Sequence, residues 1–404
     1  MRAPDSVFHK DCDVAVIGGG IAGVAAALQA ARSGKKTVLI EKTVLLGGLA
    51  TTGLIYIYLP LCDGNGRQVT FGICEELIKL SLKYGPGDIP ENWQSGRNSE
   101  EAKRYRCIFS PAAFMLALDE VLQDAGVEIW LDTLVCGAEV DGNSNLKTVI
   151  VENKSGRGSI NAARFIDASG DCDVARHAGA SCLSAENYLA MWALEYNILQ
   201  KTNPFNTLAE HVNMFTGGYY PEGRPDMPEK HKYNGLSGRM VSDFVLEGRR
   251  LLREHYQKIY ASGDGDRKNV FPLKLPAMAQ FRKTFCIQGQ TVLQPVQHGQ
   301  YFEDSIGMAA DWRKPGFVWE IPYGTLVPLK VNNLLAAGRC TSSAGDAWEV
   351  TRVIPAAALT GQIAGLAAAL SIDENVGTAQ LDVKLLQKNI VNCGIPPHLK
   401  DVGL

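Results

Sequence analysis

Three groups of residues in this chain have types and spacing that could do chemistry. The stretch GGGIAG places glycines at 18, 20 and 23, and an acid follows at position 41. A histidine stands at 298, and arginines stand at 282, 339 and 352. In the pattern G-x-G-x-x-G, Gly18 permits a tight turn and Gly20 lets backbone approach a pyrophosphate. Gly23 lets a helix pack closely on a strand. Glu41 lies 18 residues past Gly23, where an acid binds ribose hydroxyls. It would repel a 2′-phosphate, which disfavours NADP and leaves FAD and NAD open. The alternative is a glycine-rich turn in an ordinary βαβ unit. A histidine such as His298 could accept a hydroxyl proton as hydride leaves the same carbon, or it could be a surface or structural histidine. Arg339 and Arg352 could bind an anion or be salt-bridged structural groups.

The elements that must position these groups are legible around them. Residues 13–17 form an apolar run consistent with a parallel strand buried on both faces. The Ala-rich segment 21–33, stopped by Gly34, predicts a helix whose N-terminal amides face the pyrophosphate charge. Residues 37–40 supply a second buried strand. Strand, glycines, helix, strand and acid fall in order within thirty residues, and this order favours the dinucleotide reading.

Further along, GGLATTG at 47–53 lets backbone pass close to a flat ligand, and its flanks are too apolar for a surface loop. Residues 110–124 predict a helix with Ser110 as cap and Pro111 at its first position, followed by a strand over 127–131. Apolar runs over 133–167, broken at Asp141-Gly142-Asn143 and Lys154-Ser155-Gly156, predict a β-meander ending in FIDASGD. Near the far end, a strand over 334–337 meets Gly338 and Arg339, and a long helix opens near Pro355. A second helix N-terminus thus reaches the same sheet. It suits an electron-poor ring that gains negative charge, as a flavin does on reduction.

The whole chain sets outer bounds. With 404 residues, 46% of them hydrophobic, it can bury a large core and predicts two domains. A net charge of −3 points to neither nucleic acid nor an anionic membrane. The start, MRAPDSVFHKDCD, lacks an apolar core of signal-peptide length. The apolar stretch 353–370 contains Pro355, Thr360, Gly361, Gln362 and Gly365 and is expected to be a buried helix, not a membrane span. None of the ten cysteines forms C-x-x-C, and no histidine spacing suggests a metal site. These features predict a cytoplasmic protein with reduced thiols.

The motifs together resemble the FAD-dependent oxidoreductase family, which is distantly similar to the flavoproteins of succinate dehydrogenase, fumarate reductase and glutathione reductase. The resemblance rests on GGGIAG with Glu41, GGLATTG, IDASGD and NLLAAGRC…RVIPAAALTGQIAG, and it covers about residues 11–180 and 280–371. It implies FAD as cofactor. Gly18, Gly20, Gly23 and Glu41 would hold its ADP half, flanked by Ile21, Ala22 and Lys42. Gly47, Gly48, Leu49 and Thr51 would lie near the flavin and Val135 near the adenine. Ala168, Gly170 and Asp171 would sit on the pyrophosphate side. Gly338, Arg339 and Asp346 would serve the ribityl chain and phosphates. Arg352, Val353 and Ala356 would face the pyrimidine edge.

The fold class expected is α/β: a Rossmann-type FAD-binding domain with a β-meander, interrupted by an α+β substrate or cap domain. The boundaries are 1–183 and 326–404 for the FAD-binding domain and 184–325 for the cap, with helices expected over 185–200 and 237–260. No second G-x-G-x-x-G is visible, so electrons would come from the substrate or a partner, not from a nicotinamide domain. Arg282 matches the arginine-rich family segment before I-x-G, whereas Phe285 and Cys286 stand where further arginines are usual. The aromatic series Trp312, Phe317, Trp319 and Tyr323 reads as core.

The function expected is hydride transfer to flavin N5 from a small organic substrate, preferably a sugar-like or polyol alcohol with His298 as base. The same-class rival is a C=C reductase resembling fumarate reductase, using Arg282, Arg339 or Arg352. A lyase, hydratase or binding protein with a structural FAD, and an electron-transfer subunit, are the other classes. The partners expected are a small-molecule substrate, an electron acceptor of unknown identity and a possible second copy of the chain.

Overall fold

The computed structural model describes residues 7–88, 104–201, 207–219 and 230–404. Its main sheet has seven strands. Phe8–Ile17 lies at the centre, paired in parallel with Thr37–Ile40 on one side and Gly156–Asp167 on the other. Glu128–Trp130 extends the sheet beyond Thr37–Ile40. The inner half of the opening strand, Val14 to Ile17, is buried, as its unbroken apolar run requires.

The long strand Gly156–Asp167 shares one edge between two neighbours. The meander strand Leu146–Asn153 pairs antiparallel with its first half, Gly156 to Asn161. Leu334–Ala336 pairs in parallel with its last three residues, Phe165 to Asp167. The late segment is thereby inserted beside the first. Ile17 is opposite both Ile40 and Asp167, and Asp167 is opposite Ala336, so four parallel strands finish at one edge. The loops leaving that edge carry GGGIAG, Glu41, ASGD and GRC. Ligands bind at such carboxyl edges in open parallel sheets.

Two helices cover one face and touch each other. Ile21–Arg32 is built from Ala, Val, Ile and Leu and is buried over its first ten residues. Ile354–Asp373 is apolar all round and long enough by composition to cross a membrane, but 89% of its most apolar window is buried inside the protein. Side-chain carbons placed at Gly361 and Gly365 would overlap the Ala22 and Ala26 carbonyl oxygens. The two glycines therefore let the helix backbones meet. One polar fixture crosses the contact: Gln362 donates to Gln29 at 3.0 Å and accepts from the Ile73 amide at 2.7 Å. A third helix, Pro111–Asp124, is capped by Ser110, whose hydroxyl accepts from the Ala113 amide at 3.4 Å.

Within the interrupting region, the helix expected over 185–200 is instead strand. Asn187–Tyr188 and Ala190–Asn197 are extended, and the latter sits inside a four-stranded antiparallel sheet with Val212–Gly218 and Val270–Lys274 on its two sides. Ala, Met, Leu and Glu are good helix formers, but neighbours on both edges and a helix against one face outweigh that local preference. That helix is Gly238–Ser262, capped by Ser237, and it buries Leu252 and Tyr256 against Met191, Ala193 and Phe215. The antiparallel ribbon of Ser305–Ala310 and Val318–Pro322 packs elsewhere. Its Ile306, Ala309, Trp319 and Ile321 join one apolar cluster with Leu359 and Ile363 of the long helix.

Candidate active site

The glycines of GGGIAG are held for different reasons. Gly18 has φ +99°, and a side chain there would overlap the Ala168 carbonyl. One at Gly23 would overlap the Gly18 carbonyl oxygen, so close packing of helix on strand requires the glycine. Gly20 has an ordinary extended backbone (φ −69°), and an added carbon would meet only Gly48 Cα, at 4.0 Å. Protein packing therefore does not demand a glycine at 20. The space in front of it does, if a ligand occupies that space.

That space is a groove running along the carboxyl edge of the sheet. Gly18, Gly20, Ile21, Ala22, Glu41 and Lys42 line one side, with Gly47, Gly48 and Leu49 beside them. Ala168, Gly170, Gly338, Arg339, Arg352, Ile354 and Ala357 line the other. Both helix N-termini thus open onto it, presenting unpaired amides to negative charge. The Glu41 carboxylate is fixed by the Gly19 amide at 2.7 Å and by the Thr43 amide and hydroxyl at 2.8 and 2.9 Å. Beyond it, a small cleft of about 30 Å³ is lined by Val135, Thr133 and Asp173. Burial, helped by neighbouring Asp171, pushes the Asp173 carboxyl up to about 6.

At the opposite end the groove shares Leu49, Ala50, Arg339, Arg352 and Ile354 with a larger cavity of about 450 Å³. That cavity is walled by Ile55, Ile57, Leu59, Trp192, Trp312 and Val353, and five arginines line it: Arg104, Arg106, Arg282, Arg339 and Arg352. Among the described residues, no Asp, Glu or His lines it. Arg282 is 8% exposed, donates to the Gln280 carbonyl at 3.3 Å and lies 5.1 Å from the Trp192 ring. Arg339 donates to the Phe281 carbonyl at 2.8 Å and approaches Asp171 at 3.5 Å. Burial raises the Asp171 carboxyl, but Arg339 and Lys42 more than reverse this and leave it below its usual range. Arg352 is clamped by Glu349, whose Oε2 accepts from Nε at 2.7 Å, while Lys283 holds Oε1 at 2.6 Å. Burial raises the Glu349 carboxyl too, yet the two cations outweigh it and hold it at about 2.

Comparison with known proteins places the chain in a family. The profile of the family described as FAD dependent oxidoreductase matches residues 13–191 and 190–390. The chain belongs to the FAD-dependent oxidoreductase family. Thioredoxin reductase from Ureaplasma parvum is 33% identical over 70 residues, a match spanning 17% of this chain and 23% of that relative's length. The chain thus aligns with under a quarter of the curated relative it matches. Among solved structures, a geranylgeranyl bacteriochlorophyll reductase-like protein from Thermoplasma acidophilum is similar at 16% identity and a TM-score of 0.49, covering 95% of this chain and 84% of its own. A p-nitrophenol 4-monooxygenase from Pseudomonas putida is similar at 12% identity and a TM-score of 0.43, with coverage of 96% and 85%.

FAD is the cofactor of this family, and the groove fits it on two observations independent of the match. The open volume at Gly20 is kept clear where a pyrophosphate would lie. The hydroxyl of Thr52, a groove residue only 1% exposed, meets no partner among the described residues and could serve a polar edge of the flavin ring.

Several expected residues are placed otherwise by the structure. Thr51 turns away and donates its hydroxyl to the Leu46 carbonyl; Thr52 lines the groove in its place. Asp346 pairs with Arg313 at 3.2 Å and Lys314 at 2.9 Å and lines neither the groove nor the cavity. Ala356 is buried behind the groove, and the next residue, Ala357, reaches it. His298 is exposed against the Phe317 ring, with centroids 4.3 Å apart, and lines none of the three cavities. It is on the surface because residues 295–297 form a short turn that carries the chain outward. Arg104 and Arg106 carried no motif signal in RYRCIF, and the fold alone brings them to the cavity.

Proposed function

We propose that this FAD-dependent oxidoreductase exchanges a hydride with an organic anion, such as a carboxylate, bound in the 450 Å³ cavity. The observation that supports this reading is the described lining: five guanidinium groups, apolar and aromatic walls, and no acidic side chain among the described residues. Arginine stays protonated at any working pH, and its planar fork matches a carboxylate bidentately. The volume suits a body of drug-like size, in the usual range for small-molecule sites. FAD, when bound, supplies the hydride acceptor or donor.

Arg339 and Arg352 border both spaces and would orient the anion against the groove. Glu349 and Lys283 fix the Arg352 guanidinium, so its position is set before substrate arrives. Arg282, seated beside the Trp192 ring, would hold a further oxygen of the substrate. The aliphatic wall of Leu49, Ile55, Ile57 and Leu59 would exclude water. The sheet and helix of the interrupting region, 184–325, contribute Trp192 and Arg282 and would act as the cap.

An alcohol oxidation requires a group that takes the hydroxyl proton, ordinarily an imidazole or carboxylate. The described lining offers neither, which favours reduction of an unsaturated acid, with hydride going to one alkene carbon and a proton relayed from water along a cavity arginine going to the other, over polyol oxidation. The test is an anaerobic panel of unsaturated and saturated organic acids set beside neutral polyols, with the flavin absorbance followed after mixing. The acids should oxidise the reduced flavin or reduce the oxidised one. Polyols that exchange electrons while every acid fails would overturn the proposal.

A further inference from the structure

We infer that the cavity holds a second anion subsite on the wall away from the flavin groove, built by Arg104, Arg106 and Trp312, so that the substrate is a dianion. This rests on the organic-anion reading above and deepens it.

The five arginines do not form one group. Arg339 and Arg352 line both the groove and the cavity and so stand at their junction. Arg104, Arg106 and Arg282 line the cavity alone. Arg104 is anchored by Nη2, which donates to the Arg313 carbonyl at 3.1 Å, next to Trp312 in the chain. Arg313 is itself pinned to Asp311 at 3.0 Å and Asp346 at 3.2 Å, so the turn carrying Trp312 is held in place.

Two donors on this wall are left over. The Nε of Arg104 and the indole Nε1 of Trp312 are both buried, and neither meets an acceptor among the described residues. A buried N–H without an acceptor is rare because it loses its water without replacing it. Arg104 and Trp312 both line the cavity with Arg106, and a ligand group that brings several oxygen acceptors and negative charge would satisfy the two N–H groups once the side chains turn towards it. A carboxylate or phosphate group does so. One anionic group of the substrate would then sit at Arg339 and Arg352 and the other at Arg104 and Arg106. The apolar body between them would lie along Ile55, Ile57 and Trp192. The volume of about 450 Å³ calls for a ring-sized or longer body, not a four-carbon acid.

Calorimetry on the FAD-loaded protein tests this with two matched pairs, benzoate against terephthalate and 2-naphthoate against naphthalene-2,6-dicarboxylate, with sorbitol as the neutral control. In at least one pair the diacid should bind about tenfold or more tighter than its monoacid. Arg104→Gln and Arg106→Gln should each shrink that gap to about twofold while leaving monoacid binding near wild type. Arg352→Gln should weaken both members of the pair. Unchanged FAD content and melting temperature show which variants are folded, and either distal variant alone suffices. Equal binding within both pairs, or a gap that survives Arg104→Gln and Arg106→Gln, overturns the second subsite while leaving the organic-anion reading in place. Binding of sorbitol with none of the four acids overturns both.

Discussion

Gly20 and Gly48 face each other across the opening of the groove: the carbon that residue 20 lacks would stand 4.0 Å from the Gly48 Cα and touch nothing else among the described residues. Of the three motif glycines, only this one is spared by its own fold. Gly20→Val should therefore leave a folded protein, with a melting temperature of the FAD-free form within a few degrees of wild type. It should retain little or no FAD after gel filtration. Gly23→Val should behave differently, because its side chain would collide with the Gly18 carbonyl. It should lose both fold and cofactor. Stoichiometric FAD in folded Gly20→Val would show that the groove does not hold the pyrophosphate there.

The contact between the two long helices is a second backbone approach that tolerates no side chain. Gly361→Val would drive a branched group into the Ala22 carbonyl at the start of the helix that carries the groove. Overpacking ordinarily costs about 1–3 kcal/mol, and collision with backbone puts this site at or above the upper end. Denaturant unfolding should show that loss together with weaker FAD retention. Leu359→Val, buried in the same long helix but without a backbone collision, should cost about 1 kcal/mol and retain FAD.

Glu349 makes stability depend on pH in a definite direction. The two cations hold its folded-state carboxyl down at about 2, below the ordinary glutamate value of 4.5, so its pairing with Arg352 and Lys283 is fully present above the unfolded value. The contribution is lost as pH falls from about 4.5 towards 2, and it amounts to about 3 kcal/mol in order of magnitude. Glu349→Gln should flatten that part of the stability–pH curve and lower stability at pH 7. A curve in Glu349→Gln that still falls as steeply between pH 4.5 and 2 would contradict the pairing.

His298 provides a prediction of no effect. Exposed against Phe317 and outside the cavities, it should tolerate Asn with flavin electron exchange within about twofold of wild type. A positioned base would instead cost about 10²- to 10⁴-fold. A drop on that scale in single-turnover mixing would bring the histidine back into the mechanism.

The groove half of the candidate site was legible in the sequence because its structural requirements are local. Strand, glycine turn, helix and Glu41 follow one another within a single βαβ unit, and Pro355 marks the second helix start. The substrate half was not, because its parts come from distant segments without a shared pattern. Arg104 and Arg106 reach the cavity only through tertiary packing, while Phe285 and Cys286, at positions where the family carries arginines, belong to a short strand paired with Cys182–Ser184. Residues 190–197 misled for a related reason. A strand flanked on both edges and buried on both faces shows no alternation, so its composition pointed to helix. Likewise, nothing in QHGQYFEDS distinguishes a catalytic His298 from one at a surface turn.

The central claim, that arginines lining the cavity beside the flavin groove hold an organic anion for hydride exchange, is tested most directly by single-turnover flavin kinetics. The acid that reacts fastest with the wild-type protein is mixed anaerobically with FAD-loaded wild type, Arg282→Gln and Arg352→Gln. Each replacement should slow electron exchange at least about 10²-fold with FAD still bound, the scale on which a positioned electrostatic donor acts. Near-wild-type rates in both variants, with the flavin intact, would contradict it.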